Sequence, residues 1–370
     1  MTVLFCLLLS AMSEPAWQIE STEIFQPLRT DEVLIRSNGE VLILNFNEAI
    51  INRYDANGKH LGVIGFKGKG PGGFTSPVSF TELGEYLYVM DMANASVSQF
   101  TADDGEFVKR TLTPDRGIEP LKVSGGWVYG DWTFSNSNTG KLHVYFVDEA
   151  FKNRVMLVEM KNSASESGVQ MTMENGNVNA VFTPLSTRPI LGAYADGSKV
   201  YVSDSLDFRI HLIDVASRKV VHTINHKSKP IPFDTEWADE QREVTAERVK
   251  RFRAGVVLKR NYPDYFPPIR EIRATPNNQI CVDQWRGRPD DNHHTQSFDA
   301  AGEAVKDSYS WDVLSRLIDI RDGWAYVTLF NPDEDEAGVG RCKPEALEAF
   351  VAANTIEFDG EGGRRMMMRD

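Results

Sequence analysis

The sequence predicts an all-β protein: a six-bladed β-propeller of four-stranded antiparallel blades, with a helical insertion between blades 4 and 5. Three observations predict it. A short β-motif recurs from Gly39 to Thr328. Each copy is flanked by further strand-like runs joined through glycine-bearing turns. Most copies are spaced by about one blade.

The motif is a Gly or Asn turn followed by alternating β-formers, often ending in Asp. It reads GEVLILN from Gly39, GEYLYVMD from Gly84, GWVYGD from Gly126, GSKVYVSD from Gly197, NNQICVD from Asn277 and GWAYVT from Gly323. With Leu42, Tyr88, Tyr129, Tyr201, Cys281 and Tyr326 as anchors, the gaps are 46, 41, 72, 80 and 45 residues. A strand precedes each anchor, as in EVLIR from Glu32 and PVSFTE from Pro77. Two more follow it, as in INRYDANGKHLGVIG from Ile51 and QSFDAAGEAVKD from Gln296. Asn-Gly, Asp-Gly and Ala-Gly turns suit hairpins, because glycine takes positive φ at low cost. Each unit is a small sheet that cannot bury its own faces, and stacking units around an axis buries both.

The two long gaps are insertions. The 72-residue gap holds an elongated hairpin, LHVYFVD from Leu142 and RVMLVEM from Arg154, and then a polar stretch from Asn162. The 80-residue gap holds a segment over about 233–262 in which Asp239 to Lys259 is rich in Glu, Arg, Ala and Lys. Val244, Phe252 and Val256, with Val249 flanking, fall on one helical face, and Pro263, Pro267 and Pro268 end it. Trp17 to Phe25 alternates, and its expected place is in the sheet of the last blade, beside a strand near Thr355 to Phe358. That pairing would cover an exposed edge. One propeller domain then spans 17–360, and 361–370 is a flexible tail.

Composition sets the class. The chain has 370 residues, 41% of them hydrophobic, with 53 acids against 40 bases and a net charge of -13. That is enough apolar material for a large core and the wrong sign for general nucleic-acid binding. Val3 to Leu9 is an unbroken apolar run, too short to span a bilayer. Ala11-Met12-Ser13 follows with small residues where a signal peptidase reads. Residues 1–13 are therefore expected to be a signal peptide and the protein to be periplasmic or secreted, although no Lys or Arg precedes the run. An N-terminal strand that starts apolar is the other reading. No membrane span is expected, and the molecule is expected to be a monomer. Beyond Cys6 in that run, only Cys281 and Cys342 remain, either as a bridge or as free thiols with Cys281 in a strand and Cys342 in a loop.

VYVSDSLDFRIHLID (Val200 to Asp214) and GFKGKGPGGFTSP (Gly65 to Pro77) resemble six-bladed propellers of the NHL-repeat-like and TolB-like group. The first matches that group's strand–Asp–turn–Arg-hydrophobic pattern, the second its glycine-rich link between blades. The helical insertion and the P-x-x-x-P-P-I segment from Pro263 to Ile269 resemble exported bacterial six-bladed proteins of unassigned function. The resemblance covers nearly the whole chain after residue 25. Blades 3 and 6 depart from it in lacking the Arg-hydrophobic third strand. It implies the architecture and leaves activity open.

In a propeller, loops between second and third strands open on the same face as the blade-to-blade links. That face is expected to gather Asn45, Asn47, Asp91, Asn94, Asp131, Trp132, Asp204, Asp207, Asp283, Trp285, Arg286, Arg288 and Asn331, with the insertion as a lid over it. Trp and Arg are enriched in binding hot spots, whereas Asp and Asn after a strand commonly bond their own turns, and the Trp residues could equally pack between blades. Gly65 to Gly73 lacks the following Lys-Ser or Lys-Thr and the helix of a phosphate loop, so it reads as a link. His222 and His226 lie too far apart on an extended chain to chelate easily. Asp290, Asp291, His293 and His294 are weak metal candidates, since neighbouring His residues on a strand face opposite ways. No cofactor is predicted. A calcium or magnesium ion at the axis would suit the oxygen ligands better than zinc.

No G-x-S-x-G, H-E-x-x-H or Cys-x-x-Cys occurs. The expected function is an exported, non-catalytic module that binds a peptide, protein or glycan. The alternative is a metal-dependent propeller enzyme resembling lactonases or peptide-amidating lyases, for which no motif matches residue by residue.

Overall fold

The computed structural model describes residues 18–21, 33–114, 119–130, 141–161, 168–173, 178–182, 190–204, 207–227, 229–240, 243, 256–262, 264–274, 278–285, 287, 294–299, 301–305, 317–321, 323–331 and 336–343. The protein is all-β, a six-bladed propeller of antiparallel sheets with little helix. Two compact units carry three blades each, one unit from residues 1–112 and 313–370, the other from 113–312.

In the first unit, strand β1 (Gln18–Ser21) is the outer strand of blade 6. Blade 1 is β2 (Val33–Ile35), β3 (Val41–Asn45), β4 (Ile50–Tyr54) and β5 (His60–Ile64). A parallel pair, β6 (Phe66–Lys67) and β7 (Gly73–Phe74), links it to blade 2. Blade 2 is β8 (Pro77–Leu83), β9 (Tyr86–Asp91), β10 (Ser96–Thr101) and β11 (Phe107–Leu112).

Alternation along β3 divides its side chains between two cores. Val41 and Ile43 pack with Tyr326 and Val339 of blade 6. Leu42 and Leu44 pack with Leu87 and Val89 of blade 2. The turns between strands close on their own aspartates. Asp55 Oδ1 accepts from Asn57 N at 2.8 Å and Lys59 N at 2.9 Å, which leaves the positive φ to Gly58. An ion network centred on buried Arg36 and Glu40 crosses from blade 1 to blade 2. Arg36 bonds Glu40 (2.6 Å), Glu82 (3.0 Å) and Asp103 (3.1 Å), and Arg53 bonds Glu40 at 2.6 Å. Burial opposes the Arg36 charge, but its bonds to Glu82 and Glu40 outweigh that and hold its pKa above the ordinary arginine value.

In the second unit, blade 3 is β12 (Leu121–Val123), β13 (Gly126–Gly130), β14 (Lys141–Asp148) and β15 (Val155–Lys161). A separate hairpin follows, β16 (Gly168–Met173) and β17 (Val178–Phe182). Blade 4 is β18 (Ile190–Ala193), β19 (Lys199–Ser203), β20 (Arg209–Asp214) and β21 (Lys219–Asn225). The insertion carries helix α1 (235–240) and β22 (Val256–Asn261). Blade 5 is β23 (Glu271–Ala274), β24 (Ile280–Gln284) and β25 (His294–Phe298), with an added bridge from Phe298 to Ala304. Tyr201 of blade 4 packs with Ile272, Ile280 and Val282 of blade 5, while Val200 and Val202 face Val128 and Val144 of blade 3. Blade 6, in the first unit with β1, is completed by β26 (Leu317–Arg321), β27 (Trp324–Asn331) and β28 (Glu336–Cys342).

Three expectations are corrected. The N-terminal strand does join the last blade, but its partner is β28, with Gln18 opposite Gly340 and Ser21 opposite Ala337. Residues 355–358, the expected partner, lie outside the described residues. The insertion between blades 4 and 5 holds a helix, but its described part is only 235–240 and residue 243. Val256, assigned by periodicity to the helical face, starts β22 instead. The run Val256-Val257-Leu258 is rich in β-branched side chains, and it pairs antiparallel with Gly168–Met173. The surplus before blade 4 thus supplies two strands of a three-stranded sheet that β22 completes. Lastly, Cys281 and Cys342 are not bridged to each other, and Cys342 ends a strand instead of lying in a loop.

Leu42, 1% exposed between two blades, should be far costlier to truncate than Leu61, 51% exposed on β5. Urea unfolding is expected to show Leu42→Ala losing about 2–5 kcal/mol and Leu61→Ala about 0.5 kcal/mol or less.

Candidate functional site

The ends of the second strands carry polar residues, and the structure gives them different tasks. Asn45 ends β3, and its Oδ1 accepts from Glu48 N at 3.0 Å, closing its own turn. Asp91 ends β9 fully buried. Its carboxylate accepts from Thr75 N (2.7 Å), Ser76 N (3.1 Å), Asn94 N (3.2 Å) and Asn94 Nδ2 (2.7 Å). Asn94 Nδ2 also reaches Thr75 Oγ1 at 3.0 Å. Asp91 and Asn94 therefore pin the end of the blade 1–2 link to the β9–β10 loop.

That link is the glycine-rich segment. Gly68 N donates to Phe74 O at 2.8 Å and Gly73 N to Gly70 O at 2.9 Å, folding it into a clasp. Phe74 anchors the clasp in the core, its ring 5.6 Å from that of Phe100. Arg110, on β11, donates to the carbonyls of Lys69 (3.1 Å), Gly70 (3.2 Å) and Gly73. The ring of Phe66 lies against Gly68, Gly70 and Gly73. A Cβ at Gly73 would stand 2.8 Å from Phe66 Cε2 and 2.7 Å from Gly68 O, so only glycine leaves room there. Phe66 nonetheless remains 48% exposed, and Phe46 in the β3–β4 loop is 52% exposed. Lys67 Nζ donates to Asn47 O at 3.1 Å and so joins the clasp to that loop.

In the second unit, Asp204 follows β19 half-buried, and Asp207 N approaches its Oδ1 at 3.5 Å. Asp207 is exposed beside Arg209, also at 3.5 Å. Asp283, one residue before the end of β24, has no exposure at all. Its Oδ2 lies 3.4 Å from Arg270 Nη1, while its Oδ1 has no hydrogen-bond partner among the described residues. Burial pushes the Asp283 carboxyl up to about 7, against the opposing pull of Arg270.

Trp285 is buried against the insertion. Its ring stacks on Phe266 with centroids 6.4 Å apart, and the Arg270 guanidinium sits 5.2 Å from its centroid. Trp237 of α1 packs in the same cluster. Asp234 caps that helix by accepting from Trp237 N at 2.9 Å, and Tyr262 Oη donates to Asp239 Oδ1 at 3.0 Å. The insertion thus docks on the loop of blade 5 through packed aromatics. Asp131, Trp132, Arg286, Arg288, Asp290, Asp291 and His293 lie outside the described residues. His294 and Asn331 are placed in β25 and β27, but their side chains are not described. Among the described residues, no group of three His, Cys, Asp or Glu is placed to hold a metal ion.

The family model of DUF5128, described as a 6-bladed beta-propeller, matches residues 25–253. The chain belongs to this family. No curated protein sequence matches it. Among solved structures, it is similar to a presumed exported protein from Bacteroides fragilis NCTC 9343, with TM-score 0.50 and 12% identity over 96% of this chain and 91% of that one. It is also similar to virginiamycin B lyase from Staphylococcus aureus, with TM-score 0.41 and 11% identity over 89% of this chain and 99% of that one. At such identities the likeness is one of fold.

Sequence reasoning did not single out Phe46, Phe66 or Arg110. The glycines marked the link, but nothing local marks an arginine that reaches carbonyls 37 to 41 residues away.

The Asp283 carboxyl generates a prediction. Its folded pKa stands above the unfolded value, so the folded state holds the extra proton. The stability it contributes is complete below the unfolded pKa and is lost as pH rises through about 7. Denaturant unfolding is expected to show Asp283→Asn gaining on the parent across that window, by up to ~4 kcal/mol at about 1.4 kcal/mol per pH unit. Parallel stability curves for the two proteins would contradict the assignment.

Proposed function

We propose that this DUF5128 protein is an exported, non-catalytic binding module that holds a peptide, protein or glycan through its blade connections. One observation carries the reading. The Phe66 ring is seated on a glycine bed yet left half open to solvent. A buried apolar ring would contribute to stability. A seated, open ring instead offers contact area to a partner at little conformational cost. The link spends three glycines, the Arg110 guanidinium and the Asp91 carboxylate on holding this arrangement.

Export is supported by the apolar run Val3 to Leu9 with the small residues that follow it. The described name of the Bacteroides fragilis structure points the same way. Among the described residues, no helix is long and apolar enough to cross a membrane.

The full chain is expected to retain ligands from a displayed peptide library or a glycan array, and Phe66→Ala is expected to weaken retention about tenfold. Failure to retain any member of either set would overturn the binding reading. Cell fractionation tests export separately. Mature protein beginning at Met1 in the cytosol would refute it.

A further inference from the structure

We infer that the clasp between blades 1 and 2 is a docking site for an acidic polypeptide segment bearing an apolar anchor side chain. The inference rests on the binding reading above and adds the chemistry of the partner. Two independent features define that chemistry. The first is the pair of exposed phenylalanines, Phe66 on its glycine bed and Phe46 on the neighbouring loop, which Lys67 ties to the clasp. The second is charge. The chain carries 53 acids against 40 bases, yet residues 56–81 hold no Asp or Glu and three lysines, Lys59, Lys67 and Lys69. Lys67 and Lys69 are exposed within the clasp itself.

Arg110 sharpens this local field. It takes up the carbonyl oxygens of Lys69, Gly70 and Gly73, so those negative dipole ends are already engaged. A protein of net charge -13 repels an anionic partner over most of its surface. The clasp carries two exposed lysines and no acid of its own, against one exposed acid, Glu48, in the Phe46 loop, so it is where such a partner can approach, and the field orients it. The phenylalanines decide between anionic polymers. They present apolar rings with no hydroxyl or N–H, so they match an apolar side chain better than a sugar face that needs hydrogen bonds around the stacking ring.

The test measures fluorescence anisotropy of the full chain with labelled poly(Glu,Tyr) copolymer, poly-Glu homopolymer, polygalacturonate and a single-stranded DNA oligomer. The copolymer is expected to bind at least about tenfold more tightly than the other three, and its binding to weaken as salt rises. Phe66→Ala is expected to reduce copolymer binding by about tenfold. Lys69→Glu, at an exposed position that cannot disturb the core, is expected to reduce it and to flatten its salt dependence. Equal or tighter binding of polygalacturonate or DNA would overturn the inference, as would copolymer binding that both variants leave intact. If the chain retains library ligands but not the copolymer, this inference falls while the binding reading stands. If it retains nothing, both fall.

Discussion

The fold depends on one constraint: the second strand of a blade is buried on both faces. β3 shows it most fully, since Val41 through Asn45 are all buried. Odd-numbered side chains serve one neighbouring blade and even-numbered ones the other. A strand of this kind has no solvent side, so alternation of polar and apolar residues disappears and a continuous apolar run takes its place. Removing one blade would expose a face on each neighbour. Packing of consecutive blades therefore fixes which residues may stand in the motif, and only its ends, where the strand leaves the core, are free to be polar.

That constraint explains what could be read from the chain. The apolar second strands and the Asp-bearing turns are local signals. Asp55 and Asp299 each close a turn within four residues, with Gly58 and Gly302 at positive φ. Repeating them along the chain spells out the blades. The insertion was read less well because its structure is decided far away in sequence. Val256–Asn261 becomes a strand through pairing with Gly168–Met173, some ninety residues earlier, and no helical periodicity can report that. The same distance hides the ion network of Arg36, Glu82 and Asp103 and the grip of Arg110 on the clasp. The polar strand ends were visible as positions, whereas their tasks were not.

Asp91 and Asp283 show how one position acquires two characters. Each lies at or next to the end of a second strand, opposite the start of its blade's first strand, Pro77 in one case and Glu271 in the other. Before Pro77 come Thr75 and Ser76, whose N–H groups both point at the Asp91 carboxylate. Before Glu271 comes Arg270, whose N–H bonds the Asp283 carbonyl instead. Among the described residues, Asp283 Oδ2 thus has a distant guanidinium and Oδ1 no hydrogen-bond partner. A carboxylate so poorly solvated favours its neutral form. The sequence difference that produces this lies in the approach to the blade, not in the aspartate.

The clasp obeys the opposite logic. Glycine-rich segments lose the most conformational freedom on folding, so a nine-residue link built on five glycines (Gly65, Gly68, Gly70, Gly72 and Gly73) should be loose unless something else holds it. Here the holding groups come from blade 2. The Asp91 carboxylate takes the backbone at one end, the Arg110 guanidinium takes carbonyls in the middle, and Phe74 is buried against Phe100. None of these needs Phe66 to be exposed, because a smaller residue there would satisfy the same bonds. Gly68 and Gly70 leave room for the ring to lie on the backbone with its outer face open, while Gly73 is required as well by the close approach of the Gly68 carbonyl. Stability alone gives no reason for that combination of a costly backbone and an unburied aromatic. Contact with a second molecule does, since the ordering cost is then met before the partner arrives.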